Sequence, residues 1–282
     1  MAIIETKNLT YTYPGGLRPS INDISIKIEK GEFTIITGPS GCGKTTICRC
    51  FNGLIPHFYQ GELNGKITVT GLDIIEHPIH EIATRVGLVF QNPENQLFSL
   101  SVEKDVAFGL ENLGVPREEI RKRVDRALKI TGIYDLKERP PHELSGGQQQ
   151  RTAIASILAI QPEVIVLDEP TSFLDPLGAK EIFEIISDLN RRLKITIVLV
   201  EHRLDLTAEY ADHIIIMDEG KVILDGEPHE ILNSESARLI GVGIPKATRL
   251  YQLLQKNGLK SEKAPLSSAE MTDILKKVLE NK

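Results

Sequence analysis

The chain has 282 residues, enough for one large domain or two small ones, and its 41% hydrophobic and 26% charged content is ordinary for a globular protein. A formal net charge of −6 argues against global attraction to polyanions, and the absence of Trp argues against a wide stacking platform for single-stranded nucleic acid. Three cysteines, Cys42, Cys48 and Cys50, match neither a disulfide framework nor a zinc spacing, which fits a reducing cytosolic compartment. The opening Met1-Ala2-Ile3-Ile4-Glu5 turns polar too soon for a signal peptide. Apolar runs such as residues 195–200 and 214–217 fall far short of the ~20 residues a membrane span needs, so any membrane role requires a partner.

The first thirty residues read as antiparallel strands, with Ile24, Ile26 and Ile28 alternating with Ser25, Lys27 and Glu29 as in one half-exposed strand. Residues 33–38, FTIITG, read as a buried central strand running into a glycine-rich turn. There Gly38-Pro39-Ser40-Gly41-Cys42-Gly43-Lys44-Thr45-Thr46 matches the phosphate-loop pattern G-x-x-x-x-G-K-[ST]. The glycines let backbone N–H groups curl around a polyphosphate, and the helix that follows adds a favourable dipole. Lys44 would neutralise the β- and γ-phosphates, and Thr45 would offer its hydroxyl to Mg²⁺. The bland alternative is a chance glycine-rich turn; the buried strand in front of it argues otherwise. Cys42 occupies a variable position with no catalytic duty, and would confer thiol sensitivity only if exposed.

Residues 67–70 and 86–90 are further strand candidates, and the second stops at Gln91. The amides, proline and acid of residues 91–96 cannot be core, because they would be buried without evident partners. Between residues 101 and 162 no strand pattern occurs. Ile120, Val124, Ala127, Leu128 and Thr131 share one helical face, so this region reads as an inserted all-helical subdomain. The basic stretch of residues 121–126 alternates around that helix beside acids and reads as a solvated face. Ser145 and two glycines open a helix from Gln148 onward, presenting N–H groups and a hydroxyl to an anion.

The apolar residues 164–167 end at Asp168, which puts a carboxylate at the sheet edge where ligands of open α/β sheets bind. Asp168 can hold Mg²⁺ through water, and Glu169 is a candidate base for an attacking water. A solvated strand end is the plain alternative. Residues 196–200 form another apolar run, closed two residues later by His202. Residues 214–217 and 222–224 flank DEGK as a hairpin. Two amphipathic segments follow, one with Leu250, Leu253 and Leu254. The other opens on a capping box, Ser267 with Glu270, and carries Met271, Ile274, Leu275 and Val278, with residues 261–268 as a linker between them. Strands alternating with helices predict an α/β fold with a mostly parallel sheet. The organisation expected is a nucleotide-binding domain over residues 1–232, with the helical subdomain at about 100–160, and a helical C-terminal extension over 233–282.

At Leu144-Ser145-Gly146-Gly147-Gln148 the sequence resembles the ATP-binding-cassette (ABC) ATPases, whose signature it matches residue for residue. The resemblance implies a P-loop NTPase fold: a RecA-like, mostly parallel core, an N-terminal antiparallel β-subdomain, the inserted helical region and a small helical extension. It implies ATP and Mg²⁺ as cofactors. It also implies that Ser145, Gly146, Gly147 and Gln148 of one subunit close over the γ-phosphate held by the phosphate loop of another, sandwiching two nucleotides in a head-to-tail dimer. Tyr13 falls where the family places an aromatic that stacks on adenine; Tyr11, two residues earlier on the same strand face, is the alternative. Asp175 falls in the loop that communicates across the dimer, with Phe173 where many relatives have a small residue. His202 matches the switch histidine that hydrogen-bonds the γ-phosphate and the attacking water. Gln91 would reach Mg²⁺ or that water through its amide.

Residues 91–96, QNPENQ, are similar to the Gln-Asn-Pro-Asp-Asn-Gln stretch of energy-coupling-factor (ECF) transporter ATPases, the group of cobalt, nickel and B-vitamin importers, with Glu94 in place of Asp. Residues 243–258 are similar to that group's C-terminal extension. The expected partners are a second ABC ATPase chain, identical or a close paralogue, and integral membrane subunits, with no nucleic acid. Leu97 and Phe98 would supply apolar surface near the docking groove. The alternatives are an importer ATPase outside the ECF group, or a soluble cassette protein of translation or DNA repair. Those soluble relatives usually carry tandem cassettes or a long coiled-coil insertion, and this chain shows neither.

Overall fold

The computed structural model describes residues 2–257, 259, 261 and 263–280. Gly258 of the stretch read as a C-terminal extension, Glu262 of the linker, and Asn281 and Lys282 lie outside the described residues. Two sheets organise the chain. The first is antiparallel and joins β1 (Ala2–Thr12), β2 (Ile21–Ile24), β3 (Lys27–Glu29), β5 (Glu62–Val69) and β6 (Leu72–Asp73). The second has six strands in the order β11-β10-β4-β9-β8-β7. Here β4 (Phe33–Thr37), β7 (Val86–Val89), β8 (Val164–Asp168), β9 (Thr196–Val200) and β10 (His213–Asp218) run parallel, and β11 (Lys221–Gly226) closes one edge antiparallel.

Ile24, Ile26 and Ile28 are all buried, but they do not lie on one strand. The Thr6 hydroxyl donates to the Ile24 carbonyl and accepts the Ile26 N–H, so a side chain takes over where the ladder lapses between β2 and β3. The hairpin of β10 and β11 turns through Glu219 and Gly220, both at positive φ (44° and 79°), the geometry a two-residue connection between right-twisted strands favours.

The parallel sheet is apolar on both faces, as sheets covered on both sides are. Period-two alternation divides each central strand between two cores. Ile165 and Leu167, with Ile197 and Leu199, face the core on one side, while Val164, Val166, Val198 and Val200 face the other. On the second side lie the antiparallel sheet and α1 (Lys44–Phe51), followed by the short α2 (Leu54–His57) and α3 (Ile79–Ala83). On the first side lie three helices that no strand interrupts: α4 (Val102–Asn112), α5 (Arg117–Ile130) and α6 (Gly146–Ile160). Here Val124, Ala127, Leu128 and Thr131 are buried and Ile120 packs at the margin. Also on this side is α7 (Pro176–Leu193), which buries Ile182, Phe183, Ile186 and Leu189, each contributing about 1.5–3 kcal/mol.

After α8 (Leu204–Thr207) and the hairpin come α9 (Pro228–Asn233), α10 (Glu235–Ile240), α11 (Lys246–Gln255) and α12 (Ser268–Glu280). The leucine stripe expected in α11 is only partly buried: Leu254 packs, but Leu250 and Leu253 are 44% and 57% exposed. Ala247, Thr248 and Tyr251 form the inner face instead, with Tyr251 packed beside Ala264 and Met271. Before α12 the Ser267 hydroxyl accepts the Glu270 N–H at 3.3 Å, but the Glu270 carboxylate reaches one residue past the cap, to the Leu266 N–H at 2.8 Å. No described helix is long and apolar enough to cross a membrane.

Candidate active site

The parallel register brings the carboxyl ends of the strands into one line. Ile36 of β4 and Asp168 of β8 both lie opposite Val200 of β9, and Val89 of β7 lies opposite Leu167. The segments leaving these ends carry the phosphate loop, Glu169, His202 and Gln91, so one sheet edge collects them, as open α/β sheets do for their ligands.

The phosphate loop is held tightly before any ligand is considered. A Cβ on Gly38 would stand 2.0 Å from the Met217 carbonyl, and one on Gly43 would stand 2.4 Å from the Ser20 carbonyl, with φ at 148° and 105°. Both positions therefore require glycine for close backbone approach as well as for backbone angle. The hairpin tip braces the loop through the Gly220 N–H, which donates to the Cys42 carbonyl at 3.1 Å. The Lys44 ammonium is 5% exposed and donates to the carbonyls of Gly38 and Pro39 at 3.0 and 2.9 Å, so its charge sits inside the loop's curl. Ser40, Gly41, Thr45 and Thr46 complete the turn into α1. Cys42 is only 3% exposed and burial pushes its thiol up, so the condition for thiol sensitivity is not met.

Asp168 is 6% exposed at the end of β8. Burial pushes its carboxyl up, while a hydrogen bond with the Thr45 hydroxyl pulls the other way. Its Oδ1 is buried without a hydrogen-bond partner, and such an oxygen beside a threonine hydroxyl fits a hard divalent cation. Glu169 follows with φ 48°, a left-handed backbone that turns its side chain away from the strand direction. Its carboxylate meets His202 Nε2 at 3.0 Å through one oxygen, and accepts from Gln91 Nε2 at 2.9 Å and the Ser172 hydroxyl at 3.0 Å through the other. Two other loops and a residue of its own turn thus converge on one carboxylate.

Tyr13 lies just beyond β1 rather than on it, and is half-buried. Its hydroxyl accepts from Arg49 at 2.9 Å and lies 3.3 Å from the Thr46 hydroxyl, beside the phosphate loop. Tyr11 is fully buried, donates to the Gln60 carbonyl at 2.7 Å and meets the Tyr13 ring edge-on, so it belongs to the core.

The signature segment starts its helix two residues earlier than expected, at Gly146. Ser145 caps it and Gln148 closes a reciprocal capping box: the Ser145 hydroxyl accepts the Gln148 N–H, and the Gln148 side chain accepts the Ser145 N–H. The serine hydroxyl keeps its own proton to donate. Ser145, Gly146, Gly147 and Gln148 line an open 570 Å³ cleft with Phe173 and Asp175, and no phosphate-loop residue is among its lining. Asp175 caps α7, one carboxylate oxygen accepting the N–H groups of Leu177 and Gly178, both at 2.9 Å.

Three of the amides after β7, Gln91, Asn92 and Gln96, have side-chain partners. Gln96 accepts the Phe90 N–H and donates to the Leu88 carbonyl, finishing an edge strand whose ladder has ended. Asn92 caps the short turn at Pro93–Asn95 by accepting the Glu94 N–H. Leu97 packs onto the core, whereas Phe98 is 66% exposed and stacks edge-on against Phe108. Sequence reasoning missed Arg49, Ser172 and Glu201. Of these only Glu201 left a signal, as a lone acid closing the apolar run of β9.

A family profile described as ABC transporter matches residues 21–172. An ABC transporter ATP-binding protein of Pyrococcus horikoshii is 47% identical over 277 residues, covering 98% of this chain and 97% of that one. One from Methanosarcina mazei is 47% identical over 281 residues, but this chain spans only 47% of its length. An energy-coupling factor transporter ATP-binding protein of Caldanaerobacter subterraneus is 43% identical over 278 residues, covering 97% of this chain and 98% of that one. Among solved structures, CbiO1 of Clostridium perfringens, part of the ABC transporter complex CbiONQ, superposes with TM-score 0.76 at 38% identity, over 90% of this chain and 99% of that one. A dimeric ATP-binding cassette bound to ADP and Pi superposes with TM-score 0.69 at 29% identity, over 80% and 98%.

Proposed function

The chain belongs to the ABC transporter family as one of its ATP-binding ATPases, and from that premise we propose that it is the ATP-hydrolysing subunit of a membrane importer of the ECF type. The observation that carries its hydrolytic part is the convergence of Gln91, Ser172 and His202 on the Glu169 carboxylate, one residue from the unpartnered oxygen of Asp168; the importer part is supported by the likeness to an energy-coupling factor ATPase and to CbiO1.

In this reading the loop N–H groups and Lys44 hold the β- and γ-phosphates, and the Tyr13 ring stacks on adenine. Thr45, Asp168 and the Gln91 amide oxygen are the groups that would hold Mg²⁺; when bound, it neutralises charge on the phosphates. Glu169 orients water in line with the γ-phosphorus and takes its proton, while His202 hydrogen-bonds a γ-phosphate oxygen. Ser145, Gly146, Gly147 and Gln148 of a second chain, a copy or a close paralogue, cover the γ-phosphate from the other side, with Asp175 at the junction. That the cleft beside the signature takes in no residue of its own phosphate loop supports a site completed by two chains. The dimeric arrangement of a cassette with ADP and Pi supports it too.

Hydrolysis changes what Gln91 faces, and the turn at Pro93–Asn95 carries that change toward Phe98 and the membrane subunits, at the cytoplasmic face. A small cargo such as a vitamin or a cobalt or nickel ion fits the likeness to CbiO1 and to an energy-coupling factor ATPase. Purification in mild detergent from the native membrane tests this. Recovery with integral membrane subunits of an importer is expected; recovery with ribosomes or DNA alone contradicts it.

A further inference from the structure

Glu201 is 2% exposed, and a carboxylate is costly to bury unless donors meet it. Three do. One oxygen accepts the N–H groups of His202 and Arg203 at 2.8 and 3.0 Å, and the other accepts the Thr171 hydroxyl at 2.7 Å. Thr171 is fully buried, two residues after Glu169. The same strand end makes further ties to the same turn. The Arg203 guanidinium donates to the carbonyls of Thr171 and Leu174 at 3.4 and 3.2 Å, and the Glu169 N–H donates to the Val200 carbonyl at 3.0 Å. Residues 169–174 and 200–203 are therefore fastened at the backbone, through a buried carboxylate and through a guanidinium.

We propose that Glu201 is a positioning residue for ATP hydrolysis: clamped between Thr171 and the His202 backbone, it fixes the His202 imidazole against the Glu169 carboxylate. The proposal rests on the roles given above to Glu169 and His202. Both Glu201 oxygens are engaged by protein donors, so it acts through its neighbours and touches no nucleotide. Capping two N–H groups alone would need only a short side chain such as Asp or Ser. The full length of Glu is used to reach Thr171 on the neighbouring turn, a side-chain link that adds to the backbone and guanidinium ties in setting the distance between base and histidine. Misplacing such a pair by about 1 Å lowers turnover and leaves nucleotide binding intact.

Thr171 supplies a mild test, because Val matches its shape and lacks the hydroxyl, while Ser keeps it. In steady-state ATPase assays on the full chain, Thr171→Val should lower kcat about 10- to 100-fold with KM for ATP within about twofold, and Thr171→Ser should recover most of the loss. Glu201→Gln, which retains an acceptor for the two N–H groups but loses the charge, should lower kcat without raising KM. Unchanged kcat in Thr171→Val and Glu201→Gln overturns the proposal. So does a loss that Ser fails to recover, or one shared equally by kcat and KM. Glu169→Gln is assayed in parallel. If it turns over normally, the underlying assignment fails; if it is inactive while the other two keep their kcat, only the role of Glu201 fails.

Discussion

Two histidines at opposite ends of the parallel sheet show how neighbours decide what a residue does. His202 leaves the carboxyl end of β9 and meets Glu169. His213 starts β10 at the other end, where its Nε2 bonds Asp225 of β11 and its Nδ1 lies 3.4 Å from the Glu32 carboxylate. The hydrogen bond to Asp225, then the Glu32 carboxylate nearby, push His213 up to about 9. A raised histidine pKa means that the folded state favours the imidazolium. That stabilisation is fully present below the ordinary value near 6.5 and is lost as pH rises through about 9. Melting temperature should therefore fall between pH 7 and 10 by about 2–4 °C for each kcal/mol lost, and Asp225→Asn should flatten the slope. A wild-type slope identical to that of Asp225→Asn would remove His213 as the cause.

At the same scale, the polar ends of apolar runs were legible: Asp168 ends a strand, Glu169 and His202 come just after one, Lys44 closes the loop that leaves another, and the structure gathers them at one edge. Glu201 was not, because an acid beside a candidate histidine reads as solvated until its burial and its three donors are seen. Arg49 was hidden likewise, since a base near the end of a helix reads as dipole compensation, whereas its guanidinium lies 4.4 Å over the Tyr59 ring and donates to Tyr13.

Among elements, the contact of α6 with β7 matters most, because α6 begins at the signature and β7 ends two residues before Gln91. Gly87 makes that contact possible: a Cβ there would stand 1.9 Å from Ile157 Cγ2 of α6. Gly87→Ala should destabilise the chain by about 1–3 kcal/mol, and Ile157→Ala should relieve part of that cost by removing the clashing methyl. Thermal denaturation of the single and double variants checks it; an unchanged midpoint in Gly87→Ala would show that the helix shifts freely. Element type was readable where the pattern was unbroken, as in the helical periodicity of α5 and the apolar run of β4. Element limits and inner faces were less so. Side-chain alternation could not reveal the lapse between β2 and β3, because the Thr6 hydroxyl replaces ladder bonds without disturbing the burial of Ile24, Ile26 and Ile28. In α11 a leucine spacing identified an amphipathic helix, but Tyr251 and Ala247 take the inner face against residues distant in sequence.

For the whole molecule, two apolar cores on either side of one parallel sheet hold the phosphate loop against one core and the signature helix against the other. Between them stands the carboxylate on which Gln91, Ser172 and His202 converge. In the function proposed above, this carboxylate activates water for ATP hydrolysis in a site that a second chain completes. The most direct measurement is ATP turnover by Glu169→Gln, taken with its ATP affinity and its sedimentation in Mg-ATP. Affinity close to that of the unsubstituted chain, turnover lower by about 10²- to 10⁴-fold and accumulation as a dimer are expected. Turnover near that of the unsubstituted chain would contradict that role.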